Sequence, residues 1–203
     1  MSSEDTYIKD ESTSGAVERA LVVQMGEGFT KIEDNPSLLE EFKEIGLAPD
    51  EFRVLVSGNF NDAIEAHEGQ SSFNGITEKF HVRVAQIGDK QIEIAHCSRD
   101  KDSVEPPSGF DLQLRQSDSA YKILVGLKGE GVLSFPKTAQ PAGTSGMYIT
   151  SSDTDKIPFH RGTIAIINAP TAWSFDSSKK GLEYLYISFP RHSHLADVVT
   201  EVS

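Results

Sequence analysis

The sequence predicts one mainly β domain, an antiparallel sandwich or barrel with two short helices before it and one helix after it. After about residue 73, apolar and polar residues alternate with a period of two, as in Phe80, Val82 and Val84. Glycine- and proline-rich turn signals separate the alternating runs. Roughly nine short strands with no helical pattern between them indicate antiparallel pairing.

Length and charge restrict the function classes. The chain has 203 residues, enough for one domain with its own core. Its formal net charge is −12, and residues 1–53 carry 13 of its 31 acidic side chains. Nucleic acids and anionic membranes bind basic surfaces, so this charge argues against direct contact with either. One cysteine, Cys97, and an N-terminus without an apolar segment predict a cytoplasmic protein with neither a disulfide nor a membrane span.

Two segments precede the alternating region. Residues 1–35 are predicted to be a flexible acidic arm, within which a short apolar stretch could form a docking strand. Residues 36–58 are predicted to be leading helices. The first helix follows the candidate N-cap Asn35 and ends before Gly46, and the second begins at Pro49.

Residues 59–191 are the predicted barrel. Within it, residues 129–131 are interpreted as a hairpin turn, residues 177–181 as another turn, and residues 136–156 as the longest loop. Residues 192–203 return to helical spacing and are predicted to begin a linker or dimerisation helix. The apolar stripe of that helix consists of Leu195, Val198, Val199 and Val202.

Three segments carry a family pattern. A strand, a G-x-G turn and a returning strand read YKILVGLKGEGVLSF over residues 121–135. A strand entered at Arg161-Gly162 and followed by Pro170 belongs to IPFHRGTIAIINAPTAWSF, and a closing strand reads LEYLYISFPR. In this order the segments resemble the cupin-like sensor domain of AraC/XylS-type transcriptional regulators. The resemblance covers about residues 50–195 and implies a cupin-like, jelly-roll β-barrel.

The resemblance also implies a function. Such a domain binds a small-molecule effector inside its barrel and forms a homodimer, without catalysis and without a cofactor. It reaches DNA only through a C-terminal helix-turn-helix domain, to which nothing in these 203 residues corresponds. The effector contacts that the family implies fall here on Arg115, Phe175, Tyr184 and Tyr186, and second choices are Arg83 and His96.

Metal binding is not predicted. Trp173 stands where cupin enzymes keep a metal-binding histidine, so it is assigned to the ligand pocket instead. The chain's one H-x-H sequence, His192-Ser193-His194, follows the last barrel strand. We therefore expect a chain that is not an enzyme.

Several alternatives stay open. The aromatic residues could simply pack the core, Arg115 could lie on a solvated strand face, and the C-terminal stripe could pack on its own barrel. The whole chain could instead be a stand-alone cupin-like protein. It would then be either a metal-dependent enzyme of the dioxygenase or isomerase type, or a non-catalytic binding module. A filled barrel would favour a dimerisation module that binds no ligand.

Overall fold

The structure is a computed structural model of the chain. It describes residues 5–9, 18–25, 29, 32–58, 63–73, 76–88, 90–99, 114–116, 121–137, 139–142, 147–150, 154–168, 172–189 and 198–200. The helices in these residues are a 3-10 helix (Ile32–Asp34), α1 (Pro36–Ile45) and α2 (Pro49–Ser57). The strands are β1 (Asp5–Lys9), β2 (Glu18–Gln24), β3 (Ala63–Phe73), β4 (Ile76–Ile87), β5 (Lys90–Arg99), β6 (Leu114–Gln116), β7 (Tyr121–Pro136), β8 (Ala139–Ala142), β9 (Met147–Thr150), β10 (Thr154–His160), β11 (Thr163–Asn168), β12 (Ala172–Phe189) and β13 (Val198–Thr200).

The main sheet folds over itself into two layers. Its strand order is β1-β2-β11-β7-β12-β5-β4-β3, with β10 beside β7, β6 beside β12 and β13 beside β6. The first part of β7 pairs with β11 and its last part pairs with β10. The first part of β12 pairs with β6 and its last part pairs with β5. These two long strands therefore belong to both layers, and the antiparallel β-barrel of jelly-roll type is confirmed.

The glycines of β7 bend the strand but do not reverse it. Gly129 has a positive φ of 79°, and a Cβ atom at this position would collide with the carbonyl group of Gly181. The two backbones thus cross where β7 and β12 pass from one layer to the other. The predicted hairpin turn at residues 129–131 is wrong because β7 continues through it. The turn predicted at residues 177–181 is also wrong, since β12 continues with a shift of register.

Both helices pack on the outer face of the main sheet. Leu38 and Phe42 of α1 and Phe52 and Leu55 of α2 are buried there. The central strands are therefore covered on both faces, one by the helices and the other by the barrel interior. The strand residues beneath the helices are Ala85, Ile92, Ile94, Ile123, Val125, Ile164, Ile166, Leu185 and Ile187.

The predicted start of α1 is confirmed, and the same residue holds the N-terminal strand. The Oδ1 atom of Asn35 accepts a hydrogen bond from the Leu38 amide at 2.8 Å. Its Nδ2 atom donates to Oδ1 of Asp5 in β1, also at 2.8 Å. The helix ends as predicted before Gly46, which adopts a left-handed φ of 71°.

Replacing Asn35 by alanine should lower the free energy of unfolding by about 2 kcal/mol, because the helix cap and the link to Asp5 disappear together. Asn35→Ser is the matched control, since serine caps a helix but is too short to replace both contacts. We expect the serine variant to lose about half as much. Urea denaturation measures both variants, and an unchanged midpoint for Asn35→Ala would contradict this role of the cap.

The N-terminal arm is part of the sheet. β2 pairs with β1 on one side and with β11 on the other. Leu21, Val22 and Val23 are at most 1% exposed, and Ile8 of β1 belongs to the interior cluster. The predicted docking strand is thus confirmed. The expectation of a flexible arm is wrong for residues 5–9, because burial of Ile8 and pairing with β2 hold this segment on the sheet.

Two further segments differ from the sequence predictions. β3 was not predicted because its sequence, AIEAHEGQSSF, lacks a regular apolar alternation. The predicted loop at residues 136–156 contains the paired strands β8 and β9 and the start of β10. None of the helices in the described part of the chain is long and apolar enough to cross a membrane. The cytoplasmic location and the domain boundaries stay predictions.

The predicted C-terminal helix is also wrong where the structure describes it. Val198–Thr200 form β13, which pairs with β6. Valine favours extended backbone, and successive strand residues face opposite sides. Leu195 and Val202 lie outside the described residues.

Candidate ligand-binding site

Aromatic side chains from both layers face the interior of the barrel. Trp173, Tyr184, Tyr186, Phe135 and Phe159 are all 0% exposed. The rings of Trp173 and Tyr186 are stacked, with centroids 6.4 Å apart and an interplanar angle of 29°. Phe159 meets Tyr184 edge to face at 6.5 Å. These pairs join the two layers and give the interior its aromatic surface.

A buried ion pair lies in this interior wall. Arg99 donates from Nε to Oε2 of Glu78 at 2.6 Å, and the Tyr184 hydroxyl donates to the same oxygen at 2.9 Å. The side chains of Arg99 and Glu78 are only 4% and 6% exposed. The two residues are directly paired on β5 and β4. Removing two charges from water is costly, so a buried ion pair contributes little net stability to a fold. Such a pair is therefore a candidate for a functional role.

A further buried charged side chain, Lys122, lies on β7. It is 0% exposed, and its Nζ atom donates to Oγ of Ser188 at 2.9 Å. The same Nζ atom lies 5.1 Å from the ring centroid of Tyr186, within cation–π range. Ser188 is paired in register with Glu93, which is 3% exposed. Tyr184 and Tyr186, two residues apart on β12, therefore each contact a buried charged or polar group.

The predicted contact residues divide into two groups. Trp173, Tyr184 and Tyr186 lie in the interior, on the face that the sequence pattern assigned to Tyr184 and Tyr186. Arg115 is in register with Trp173 across β6 and β12, and Phe175 is in register with Leu133 of β7. Phe175 thus lies on the same strand as Trp173, and Arg115 lies on the strand paired with it.

Arg83 and His96 lie on the opposite face of the sheet, and their assignment to the barrel pocket is wrong. Val82 and Val84 of β4 are buried, whereas Arg83 between them is exposed. On β5, Ala95 and Cys97 belong to the interior cluster, so His96 points outward and is exposed. The burial of Cys97, 1% exposed, agrees with an inert core thiol.

The outer face of β3, β4 and β5 carries a groove of about 500 Å³. Glu68, His81 and His96 form one row across the three strands, because each is in register with the next. The His81 ring contacts Glu68 Oε1 through Nδ1 at 2.8 Å, and its Nε2 atom lies 3.2 Å from Nε of Arg83. The other lining residues are Gly69, Gln70, Lys79, Phe80 and Ser98.

Among the described residues, no group of three or more histidine, cysteine, aspartate or glutamate side chains is arranged to hold a metal ion. His192 and His194 of the H-x-H sequence lie outside that part of the chain.

Sequence reasoning missed the buried charged residues of the barrel. Lys122 alternates with Tyr121 and Ile123, so the pattern favoured a solvated position for it. The available signal was a charge within a run that is otherwise apolar at every position, KILV, which indicates a strand buried on both faces. Glu78 and Arg99 offered no comparable signal, because each stands near the end of its run.

The known proteins that resemble this chain are solved structures with a similar backbone. No protein-family model matches the sequence, and no curated protein sequence matches it. Solved structures with similar backbones include oxalate decarboxylase from Lactobacillus farciminis, with 13% identity, a TM-score of 0.40, and coverage of 65% of this chain and 33% of that one. Hydroxypropylphosphonic acid epoxidase from S. wedmorenis has 7% identity, a TM-score of 0.41, and coverages of 64% and 58%. Vicilin from hazelnut, Corylus avellana, has 17% identity, a TM-score of 0.44, and coverages of 77% and 40%.

These neighbours are cupin-fold proteins. The strand topology described above makes the fold cupin-like. The chain spans 33% to 58% of the three neighbours' lengths, and at these identities the likeness extends to the fold and no further. The expectation that the chain is not an enzyme, drawn from the family resemblance and the missing metal-ligand pattern, is wrong, because solved structures with similar backbones include oxalate decarboxylase and an epoxidase. The role of this cupin-like chain must be argued from its own residues.

Proposed function

We propose that this chain is the small-molecule-sensing and dimerisation domain of an AraC-type transcriptional regulator, with its effector bound inside the barrel. The observation that carries the binding proposal is the network of Glu78, Arg99 and Tyr184 within an aromatic wall. Small-molecule sites combine mainly apolar surface with a few placed polar groups. The interior of this barrel has that composition.

The regulatory part of the proposal rests on the resemblance of three segments of the sequence. In sequence, a segment with G-x-G, a strand entered at Arg161-Gly162 and a closing strand follow one another in the order that resembles the sensor domain. The proposal includes the homodimer of that family. With a net charge of −12, the residues present are poorly suited to contact DNA themselves. The effector would act by shifting the population of two arrangements of an attached DNA-binding domain.

Ligand binding tests the proposal. In isothermal titration calorimetry with a panel of aromatic carboxylates and monosaccharides, beginning with benzoate and L-arabinose, we expect saturable binding to the chain. Tyr184→Phe should weaken it about tenfold, because the variant removes one hydroxyl from the polar network and leaves the ring.

Tyr121→Phe is the matched control, since it removes a phenol hydroxyl from the outer face of the barrel, where Tyr121 contacts Glu44 at 3.4 Å. Its affinity should equal that of the unchanged chain. Absence of binding across the panel, or equal weakening in both variants, would contradict a site beside Tyr184. Stoichiometric iron, manganese, zinc or nickel in the purified protein would favour the alternative of a metal-dependent enzyme.

A further inference from the structure

Strand β3 lies at one edge of the main sheet. In the described part of the chain it pairs with β4 alone, and this pairing is regular from Ala66 to Phe73. The 11 residues of β3, AIEAHEGQSSF, include neither a lysine nor a proline. Proteins commonly protect a sheet edge with these residues or keep the edge strand short. A long edge without them is therefore a surface on which a further strand can pair.

The middle of this edge carries an aromatic ring. Gly69 of β3 is in register with Phe80 of β4, and a Cβ atom at Gly69 would collide with the tip of the Phe80 ring. The ring therefore extends across the sheet over Gly69. Phe80 packs against the interior cluster but is only partly buried. The glycine thus makes room for an apolar ring that reaches the outermost strand of the sheet.

Two polar side chains flank Gly69 on the other face of the sheet. Glu68 and Gln70 are both exposed, and alternation places them opposite to the Phe80 ring. An arginine can only donate, so Nε of Arg83 donates to Nε2 of His81, and Nδ1 of that ring donates to Oε1 of Glu68 at 2.8 Å. This contact orients the carboxylate, and a carboxylate oxygen can accept from a further donor.

From these positions we infer that two copies of the chain join their main sheets through β3, with the two strands antiparallel and a twofold axis at Gly69. In this register Gly69 lies opposite the partner's Gly69, and Glu68 lies opposite the partner's Gln70. Because the interface is symmetric, the pair of Glu68 and Gln70 occurs twice. The inference rests on the homodimer of the proposed function and assigns its interface to β3, in place of the predicted C-terminal helix.

The edge of β3 is complementary to itself in this register. Opposed Cα atoms of an antiparallel pair are about 4.5–5.5 Å apart. Two Phe80 rings, each lying over its own Gly69, therefore meet at about 5 Å, within the contact range of aromatic pairs. On the other face each Glu68 carboxylate accepts a hydrogen bond from the partner's Gln70 amide. A strand of another protein would need a glycine and an amide at the same spacing, so a second copy is the occupant that fits.

Sedimentation velocity of the full chain over a range of concentrations tests the inference. We expect a monomer–dimer equilibrium. Gln70→Glu sets two carboxylates opposite each other in both symmetric pairs, so the dissociation constant of the dimer should rise about tenfold. Glu68→Gln combined with Gln70→Glu exchanges the two side chains and again sets a carboxylate opposite an amide. This double variant should dimerise about as tightly as the unchanged chain.

Gln91→Glu is the matched control, since it adds the same charge at an exposed position of β5, which β4 separates from the edge. Its dimer should dissociate like that of the unchanged chain. A dimer that Gln70→Glu weakens no more than Gln91→Glu does, or that the double variant fails to restore, would overturn the β3 interface and leave the homodimer intact. A chain that stays monomeric would contradict the homodimer of the proposed function as well. Effector binding is measured separately by calorimetry.

Discussion

Replacing Arg99 by methionine should lower the free energy of unfolding by about 3–5 kcal/mol. The substitution removes the cationic partner of the Glu78 carboxylate and leaves the Tyr184 hydroxyl donating to the same oxygen. A buried carboxylate that loses its cationic partner costs far more than the intact pair contributes, so the loss reflects the desolvation of Glu78. Urea denaturation at neutral pH gives the value.

Two further variants separate this cause from a loss of packing. Glu78→Gln combined with Arg99→Met leaves no charge in the network and keeps an oxygen that can accept from Tyr184. We expect this double variant to regain most of the lost stability. Arg161→Met, at an exposed position, should change the free energy of unfolding by no more than about 0.5 kcal/mol. A double variant as unstable as Arg99→Met would contradict the electrostatic explanation.

The second large effect concerns the close approach of β7 to the connection between β10 and β11. Gly126→Ala should cost about 3 kcal/mol or more, because the new Cβ atom would overlap the carbonyl group of His160. The overlap is with backbone, which has no alternative rotamer. The Gly162 amide also donates to the Gly126 carbonyl at 3.0 Å, so a shift of β7 would strain a second contact.

Gly88→Ala is the control for the contact between Gly126 and the His160 carbonyl group. Gly88 has a positive φ of 61°, but a Cβ atom there would meet nothing within 4 Å. Its substitution should therefore cost only the backbone strain, about 1–2 kcal/mol. The difference between the two unfolding midpoints measures the destabilisation caused by the overlap with the His160 carbonyl group. A Gly126→Ala variant as stable as Gly88→Ala would show that the β10–β11 connection can move away from β7.

Local signals predicted most of the elements. An N-cap at Asn35, a first-turn proline and a glycine after the last turn placed α1 correctly, since these signals act within a few residues. Period-two alternation likewise found the central strands. Glycine in residues 129–131 was misread because a turn and a bend both need it. Only the distant contact with Gly181 distinguishes the two, and no local pattern records such a contact.

The faces of the strands were harder to predict than the strands. Helices α1 and α2 cover the outer side of the main sheet, so the strands beneath them carry apolar residues on both faces. The alternation of apolar and polar residues therefore does not show which face of these strands lies inside the barrel. Tyr184 and Tyr186 were placed in the barrel correctly. Arg83 and His96 were assigned to the same pocket. Successive residues of β4 and β5 face opposite sides of the sheet, however, and these two side chains face outward. Strand geometry, and not any property of their side chains, places them outside the barrel pocket.

Buried charge was the main feature beyond reach of the sequence. Glu78 and Arg99 are 21 residues apart in the chain and meet because β4 and β5 pair in one register. Lys122 reaches Ser188 across 66 residues for the same reason. Such contacts depend on topology, which local periodicity does not encode.

The fluorescence of Trp173 tests the central claim most directly. It is the only tryptophan in the chain, it is 0% exposed, and it stacks on Tyr186 in the barrel interior. During titration with the compounds that bind in calorimetry, the emission of Trp173 should change saturably and give the same dissociation constant. Binding that leaves this emission unchanged would place the effector outside the barrel and contradict the proposed site.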